Sequence, residues 1–173
     1  MADRTMWDRM MSAAMLDVAT YEEVEHDESL TTEAAMVVII AAAARGIGGF
    51  DDGSGGIIVG ILGALLGWLV WAGITYLVGD KLLDGTATWG ELLRTLGYAQ
   101  APGVLLVLGV VPLLGWIAGL VVSGWLLVTG IVAIRQALDF TTGKAILTAI
   151  IGWVIAVAVP VLLVGAAASG MRL

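Results

Sequence analysis

The chain has 173 residues, of which 60% are hydrophobic and 13% are charged, and its mean hydropathy is +0.99. It therefore has more apolar surface than a soluble domain of this length can bury. The excess must face lipid, so we predict an integral membrane protein. The lack of cysteine excludes disulfides and thiolate chemistry, the single histidine excludes an all-histidine metal site, and the net charge of −7 disfavours nucleic acid as a partner.

The first stretch of the chain predicts an amphipathic helix rather than a signal peptide, because no apolar run of about 7–15 residues precedes the acids. The apolar side chains recur at three- and four-residue steps, and they are Trp7, Met10, Met11, Ala14, Met15 and Val18. Trp7, Met10, Met11 and Met15 are our candidate surface for a partner or the membrane interface, and methionine suits both. The sequence TYEE (Thr20–Glu23) matches a capping box and predicts a second short helix from Thr20.

Most of the negative charge lies in residues 1–33. They hold nine aspartates or glutamates and two arginines, a net charge of −7, whereas the six acids and six bases that remain cancel. A segment of this charge is repelled by anionic lipid and by nucleic acid, which favours a basic cytoplasmic protein as its partner. The alternative is a solvated acidic tail.

Five apolar runs follow, at residues 32–48, 57–79, 95–111, 113–134 and 145–169. The 40 uncharged residues from 95 to 134 would make a helix of ~60 Å against ~30 Å of hydrocarbon, so we place a turn at Pro112. The predicted fold class is all-α: a polytopic membrane protein with five transmembrane helices. An acidic segment with the amphipathic helix (1–31) precedes the membrane domain (32–173).

The third span is predicted to begin outside the lipid. Thr88 and Glu91 form a second capping box, so the helix starts at Trp89. Tyr98 is an aromatic side chain suited to the membrane interface. Pro102 can lie within this helix if a neighbouring group satisfies the carbonyl that loses its donor.

The basic residues predict the orientation in the membrane. With five spans and a cytoplasmic N-terminus, the inner segments hold Arg4, Arg9, Lys81, Arg94, Arg135 and Lys144. The outer segments hold Arg45 and Arg172. This bias predicts a multi-pass protein of the cell (inner) membrane with its N-terminus inside and its C-terminus outside.

Small residues spaced by four predict where helices pack, because lipid offers no hydrophobic drive for helix association and close backbone approach replaces it. The predicted helix-packing residues are Gly63, Gly67, Gly115, Gly119, Ser123, Gly152 and Ala156. These ridges serve either packing within the chain or docking of other subunits, including further copies of this chain.

The spans hold no ionisable residue near mid-membrane, which argues against an ion-coupled transporter. Glu22 and His26 lie one helical turn apart and Asp27 follows, but so few ligands in a solvated acidic stretch predict no metal site. The chain also lacks a nucleophile–base pair and a phosphate-binding loop. We therefore predict no catalytic residues, no metal and no cofactor, in a protein that is not an enzyme.

Two segments resemble the Yip family of small membrane proteins, whose eukaryotic members are named for interacting with Ypt/Rab GTPases. In ELLRTLGYAQAP, Gly97, Tyr98 and Pro102 match the Gly-Tyr-x-x-x-Pro pattern that opens the family's third span, and RQALDFTTGKAI is similar to a segment of bacterial relatives. The eukaryotic Asp-Leu-x-Gly-Pro motif is replaced by DVATYEEVEHDES, which resembles the bacterial branch. The resemblance implies a five-helix scaffold that acts through partners, without GTPase binding.

We predict a non-enzymatic membrane scaffold or accessory subunit that contacts the lipid bilayer and either a membrane-protein partner or further copies of itself. One alternative is a small-solute channel or permease, with a wet path past Gln100, Tyr98, Thr75 and Ser123. Another is a holder of a hydrophobic cofactor between Trp68, Trp71 and Trp125.

Overall fold

The computed structural model describes residues 4–49 and 53–170, and the side-chain surroundings of residues 4–49, 56–111 and 113–156. Within these ranges the chain is helical and contains no strand. The helices are α1 (Met6–Ala14), α2 (Val18–His26), α3 (Thr31–Gly48), α4 (Gly53–Tyr76), α5 (Trp89–Tyr98), α6 (Pro112–Ala137) and α7 (Thr142–Gly170). A 3₁₀ turn (Glu28–Leu30) precedes α3, a π-helical turn (Leu77–Leu82) extends α4, and a 3₁₀ helix (Ala101–Val110) follows α5.

Four helical segments are long and apolar enough to cross a membrane: Glu28–Gly48, Gly56–Leu82, Trp89–Val110 and Leu113–Ala137. The fifth predicted span is α7, whose described apolar part is Thr142–Ala156. Large apolar side chains such as Val59 and Leu66 of α4 and Leu127 of α6 are exposed on the outside of the bundle. The all-α polytopic fold predicted from composition is confirmed.

The closest helix contact joins α3 to the third span. A Cβ atom at Gly97 would lie 2.8 Å from the Cβ of Ala34, and one at Gly103 would lie 3.0 Å from the Cβ of Ala41. At the far end, a Cβ at Gly109 would lie 2.5 Å from the carbonyl oxygen of Gly48. Only glycine allows backbones to approach this closely, so this row of small residues sets the distance between the two helices.

The spacing of these contacts explains the change of helix type. Small residues recur every seven positions on α3, which is about two α-helical turns. On the third span Gly97, Gly103 and Gly109 recur every six positions, which is two turns of a 3₁₀ helix. The Ala101–Val110 segment is a 3₁₀ helix, and this geometry keeps both of its glycines against α3.

The break between α5 and the 3₁₀ helix follows from Pro102. Proline has no N–H to donate, so the carbonyl of Ala99 loses the bond that the 3₁₀ pattern would give it. The hydroxyl of Thr129 on α6 donates to this carbonyl at 2.8 Å, and Thr129 is fully buried. A neighbouring side chain therefore meets the condition on which the sequence analysis allows Pro102 to lie within this helix.

The capping boxes are confirmed in part. Thr88 and Glu91 cap α5 as predicted. The predicted start of α2 at Thr20 is wrong: α2 begins at Val18 after the N-cap residue Asp17, and the Thr20 hydroxyl donates to Asp17 Oδ2 at 2.6 Å. The turn from α1 into α2 places Leu16 at a φ of 64°, a left-handed conformation that favours glycine.

Candidate functional site

A network of charges attaches the two N-terminal helices to the bundle. Arg9 on α1 bonds Glu23 on α2 (Nε–Oε1, 2.7 Å) and Glu33 on α3 (Nη1–Oε2, 3.2 Å), and its side chain is nearly buried. Arg4 pairs with the other oxygen of Glu23. The hydroxyl of Tyr98 on α5 donates to Glu33 Oε2 at 2.7 Å. These partly buried pairs have residues in common: Glu23 binds both arginines, and Glu33 binds Arg9 and Tyr98. Removing one residue therefore leaves a neighbouring charge without its partner.

The end of α2 is held by a second arginine. Arg94 on α5 is buried and donates from Nε to the carbonyl of Val24 at 2.8 Å and from Nη2 to the carbonyl of Glu25. The last four carbonyls of a helix have no partner within it, and a positive charge there opposes the negative end of the helix dipole. Arg94 therefore acts as a C-cap of α2 supplied from a membrane-spanning helix.

The end of α1 is held by an indole and a phenol. The Nε1–H of Trp125 on α6 donates to the carbonyl of Ala14 at 2.7 Å. The hydroxyl of Tyr21, which is fully buried, donates to the carbonyl of Ala13 at 3.1 Å. Burial raises the pKa of Tyr21, so the phenol stays protonated and keeps donating. The N-terminal segment is therefore packed on the bundle, and two acids, Glu23 of α2 and Glu33 of α3, are paired with arginines of this chain.

One apolar surface of α1 is not covered by any residue that the structure describes. Trp7, Met11 and Met15, which we call the α1 surface, are 56%, 67% and 71% exposed. Met10, predicted to belong with them, is 4% exposed and lies in the core. One helix thus has two apolar faces: Met10 and Ala13 pack inward, and the α1 surface points away from the bundle.

The Gly-Tyr-x-x-x-Pro residues meet at the junction of these elements. Gly97 allows the close contact with α3, Tyr98 joins the charge network, and Pro102 frees the carbonyl that Thr129 satisfies. A family model described as the Yip1 domain matches residues 17–164, which is most of the chain. The chain belongs to the Yip1-domain family. No curated protein and no solved structure matches it.

The Yip1 domain begins at residue 17, just before α2 and inside the segment predicted to precede the membrane domain. It therefore includes α2 and Glu23, whereas α1, with Arg9 and the α1 surface, lies before the matched residues. The contacts of Arg9 join a helix outside the match to Glu23 and Glu33 inside it.

The predicted helix-packing residues of this Yip1-domain protein fall into two groups. Gly115 packs on Gly109, because a Cβ atom added to Gly115 would lie 2.8 Å from the Cα of Gly109. Gly152 packs against the side chains of Trp71 and Ile74. The other glycines of the set, Gly63, Gly67 and Gly119, have no described atom within 4 Å of such a Cβ. Ser123 is exposed and its hydroxyl bonds its own helix at Gly119, and Ala156 is half-buried.

Two clefts open between the spans of the Yip1 domain. One, of about 610 Å³, lies between α3, α4 and the third span and is lined by Arg45, Gly63, Trp68 and Gln100 among others. The other, of about 730 Å³, is lined mainly by apolar residues of α6 and α7, including Ile134 and Trp153. Trp71 lines both. Volumes of this size match those of small-molecule sites.

Sequence reasoning missed the residues that dock α1 and α2. From the sequence, Arg94 enters only as a positive charge that sets orientation, and Glu33 enters only through the net charge of residues 1–33. A signal was present, since Glu33 is the one acid between Thr31 and Arg45 in an otherwise apolar helix, and such a residue in a span calls for a partner. The identity of that partner depends on tertiary contacts and could not be inferred locally.

Proposed function

We propose that this Yip1-domain protein is a non-enzymatic membrane scaffold or accessory subunit that binds a protein partner through the α1 surface. The observation that carries the proposal is that α1 is fixed to the bundle by Arg9 and by Trp125 while Trp7, Met11 and Met15 point outward. Because the backbone of α1 is already fixed, binding there costs less conformational entropy than binding of a disordered segment. Membership of the Yip1 family is consistent with a membrane-associated, non-enzymatic role.

Charge around α1 favours a protein over a lipid surface as the occupant. Helices that lie on anionic membranes carry lysine and arginine on their polar face. In this chain Arg4 and Arg9 are paired with Glu23 and Glu33, and Asp8 is exposed on α1. The partner we propose therefore presents apolar side chains to Trp7 and the methionines, with basic groups near Asp8.

The glycine-containing face of α6 supplies a second docking surface in this proposal. Gly119 has no described neighbour within 4 Å and allows another helix to approach closely in lipid, whereas Gly63 and Gly67 line the cleft between α3, α4 and the third span. We propose that a transmembrane helix of the partner or of a second copy packs there, in a cell membrane with the N-terminus of this chain in the cytoplasm.

Site-specific photo-crosslinking in native membranes tests the proposal. A photoreactive amino acid in place of Met11 should give one discrete protein adduct, and one in place of Leu66, exposed on α4, should not give that adduct. Trp7→Asp should abolish the adduct, while Ala19→Asp, which adds the same charge at an exposed position of α2, should leave it unchanged. Adducts with lipid alone, or a protein adduct that survives Trp7→Asp, would refute the protein-binding role.

The two clefts favour a second candidate function, that of holding a hydrophobic ligand within a membrane complex. Gln100, Arg45 and the indoles of Trp68 and Trp71 provide polar and aromatic contacts in walls otherwise made of glycine and apolar residues, the usual composition of such sites. Native mass spectrometry in mild detergent should then show one ligand mass that Gly63→Trp displaces. A spectrum containing only bare protein would reject this candidate.

A further inference from the structure

The last turn of α2 brings together three side chains that can bind a metal ion. Glu22, Glu25 and His26 stand at positions i, i+3 and i+4, which share one face of a helix. One ligand atom from each lies within 4.8 Å of the other two. This trio differs from the one considered from sequence, because Glu25 replaces Asp27.

Glu25 supplies a second, independent observation that points to a ligand. The residue is 8% exposed, and its Oε2 atom is buried without a hydrogen-bond partner in the described part of the chain. The nearby guanidinium of Arg94 bonds the main-chain carbonyl of Glu25 rather than its carboxylate. An ionised carboxylate out of water without a partner is strongly disfavoured, and coordination of a metal ion is one of the few ways to relieve this penalty.

The other two residues are already oriented. His26 Nδ1 lies 2.9 Å from the carbonyl of Glu22, and a carbonyl can only accept, so Nδ1 carries the proton and Nε2 is the ring nitrogen with a free lone pair. Histidines that bind metals commonly donate their second ring N–H to a carbonyl in this way. Gln136 of α6 donates a hydrogen bond to Glu22 Oε1. This bond holds the Glu22 carboxylate against the membrane-spanning bundle.

We infer that Glu22, Glu25 and His26 form a binding site for a divalent transition-metal ion of the zinc class. One imidazole nitrogen with two carboxylate oxygens suits a borderline ion better than Mg²⁺, which prefers oxygen ligands alone. Tetrahedral ligands at ~2.0–2.1 Å from zinc lie ~3.4 Å apart. Since the three ligand atoms lie within 4.8 Å of one another, they draw closer by at most ~1.4 Å as the ion enters. Water completes the coordination at the exposed His26 side. The ion would fasten the end of α2 close to Gln136 of α6.

The test uses full-length protein in detergent, stripped with a chelator and titrated with Zn²⁺ by calorimetry, with Co²⁺ as a spectroscopic probe. One ion per chain should bind. Glu25→Gln and His26→Gln should each weaken binding at least about tenfold, whereas Glu28→Gln, an exposed acid just beyond α2, should not. The visible Co²⁺ bands should report a bound nitrogen in the wild type and be lost in His26→Gln.

Two results would overturn the inference. Zinc affinity that Glu25→Gln leaves unchanged would remove the buried carboxylate from the site. Equal weakening by Glu28→Gln would show that Zn²⁺ responds only to the diffuse negative charge of the segment. Circular dichroism verifies folding, and the substitution at Glu25 removes a buried charge, so metal-free Glu25→Gln should be at least as stable as the metal-free wild type. A large loss of helix in that variant would also contradict our description of the site.

Discussion

Removing the Thr129 hydroxyl should lower the free energy of unfolding, because this hydroxyl bonds the carbonyl that Pro102 leaves without a donor. In Thr129→Val the carbonyl of Ala99 loses its donor at 2.8 Å inside an apolar interior. Leaving a buried carbonyl unsatisfied costs about 1–3 kcal/mol in soluble proteins, and interhelical hydrogen bonds in membranes lie at about 0.6–1.7 kcal/mol. We therefore expect a loss of about 1–2 kcal/mol in the free energy of unfolding.

A double-mutant cycle isolates this effect. Pro102→Ala restores an N–H that can donate to the Ala99 carbonyl, so Thr129→Val should cost less than about 0.5 kcal/mol in that background, giving a coupling of about 1 kcal/mol. Thr148→Val is the matched control: Thr148 is equally buried, but its hydroxyl bonds only a carbonyl of its own helix, that of Lys144, at 2.9 Å. This control should lose little stability.

The assay is reversible unfolding in mixed micelles by titration with a denaturing detergent, followed by circular dichroism. The reasoning predicts that the cost of Thr129→Val differs between the wild-type background and the Pro102→Ala background. If the two costs are equal, the threonine stabilises the bundle by packing alone, and the explanation of the 3₁₀ break through Pro102 is refuted.

Four further predictions follow from packing and charge. Gly97→Ala should lower the free energy of unfolding by about 1–3 kcal/mol in the same titration, because the new Cβ would lie 2.8 Å from the Cβ of Ala34. Gly119→Ala should have little effect, because Gly119 has no described neighbour. Equal effects of the two substitutions would contradict the close contact at Gly97. Arg94→Gln should speed amide hydrogen exchange in α2 at least several-fold, since its last carbonyls lose a charged donor; unchanged exchange would show the cap to be dispensable. Leu16→Gly should raise stability by about 1 kcal/mol by relieving its positive φ, and a lower melting temperature would mean that the lost side-chain contacts outweigh this relief. Hydrogen bonds from Thr5 hold the pKa of Asp8 below its usual 3.8. The contribution of ionised Asp8 to the stability of α1 is therefore present above that value and lost as pH falls through the lowered pKa. Hydrogen exchange of α1 should become faster at acid pH in the wild type and should not show this change in Asp8→Asn.

Features that depend on local energies were predictable from the sequence. Thr88 and Glu91 cap α5 through groups three residues apart, and Pro112 begins α6 at a position where a missing N–H costs nothing. The hydroxyls of Ser123 and Thr148 bond their own helices, as short polar side chains in spans usually do. In each case the deciding interaction lies within one helical turn.

Features that depend on distant contacts were not predictable. The row Gly97, Gly103 and Gly109 has a six-residue spacing that matches no α-helical face, so a search for glycines four apart overlooks it. The burial of Met10 beside the exposed Met11 depends on where α1 lies on the bundle. Equally, a pattern of 3.6 residues predicts that a helix has an apolar face and cannot tell which neighbour covers it.

The 3₁₀ helix of the third span constrains how this part of the chain can change length during evolution. With three residues per turn, one inserted residue between Gly103 and Gly109 would rotate the second glycine by ~120° and place a side chain where Gly48 now meets bare backbone. Three inserted residues would restore the facing position and lengthen the span by ~6 Å. Homologues in thicker or thinner bilayers should therefore differ in the length of this segment by multiples of three residues, and they should keep a glycine at each of its ends.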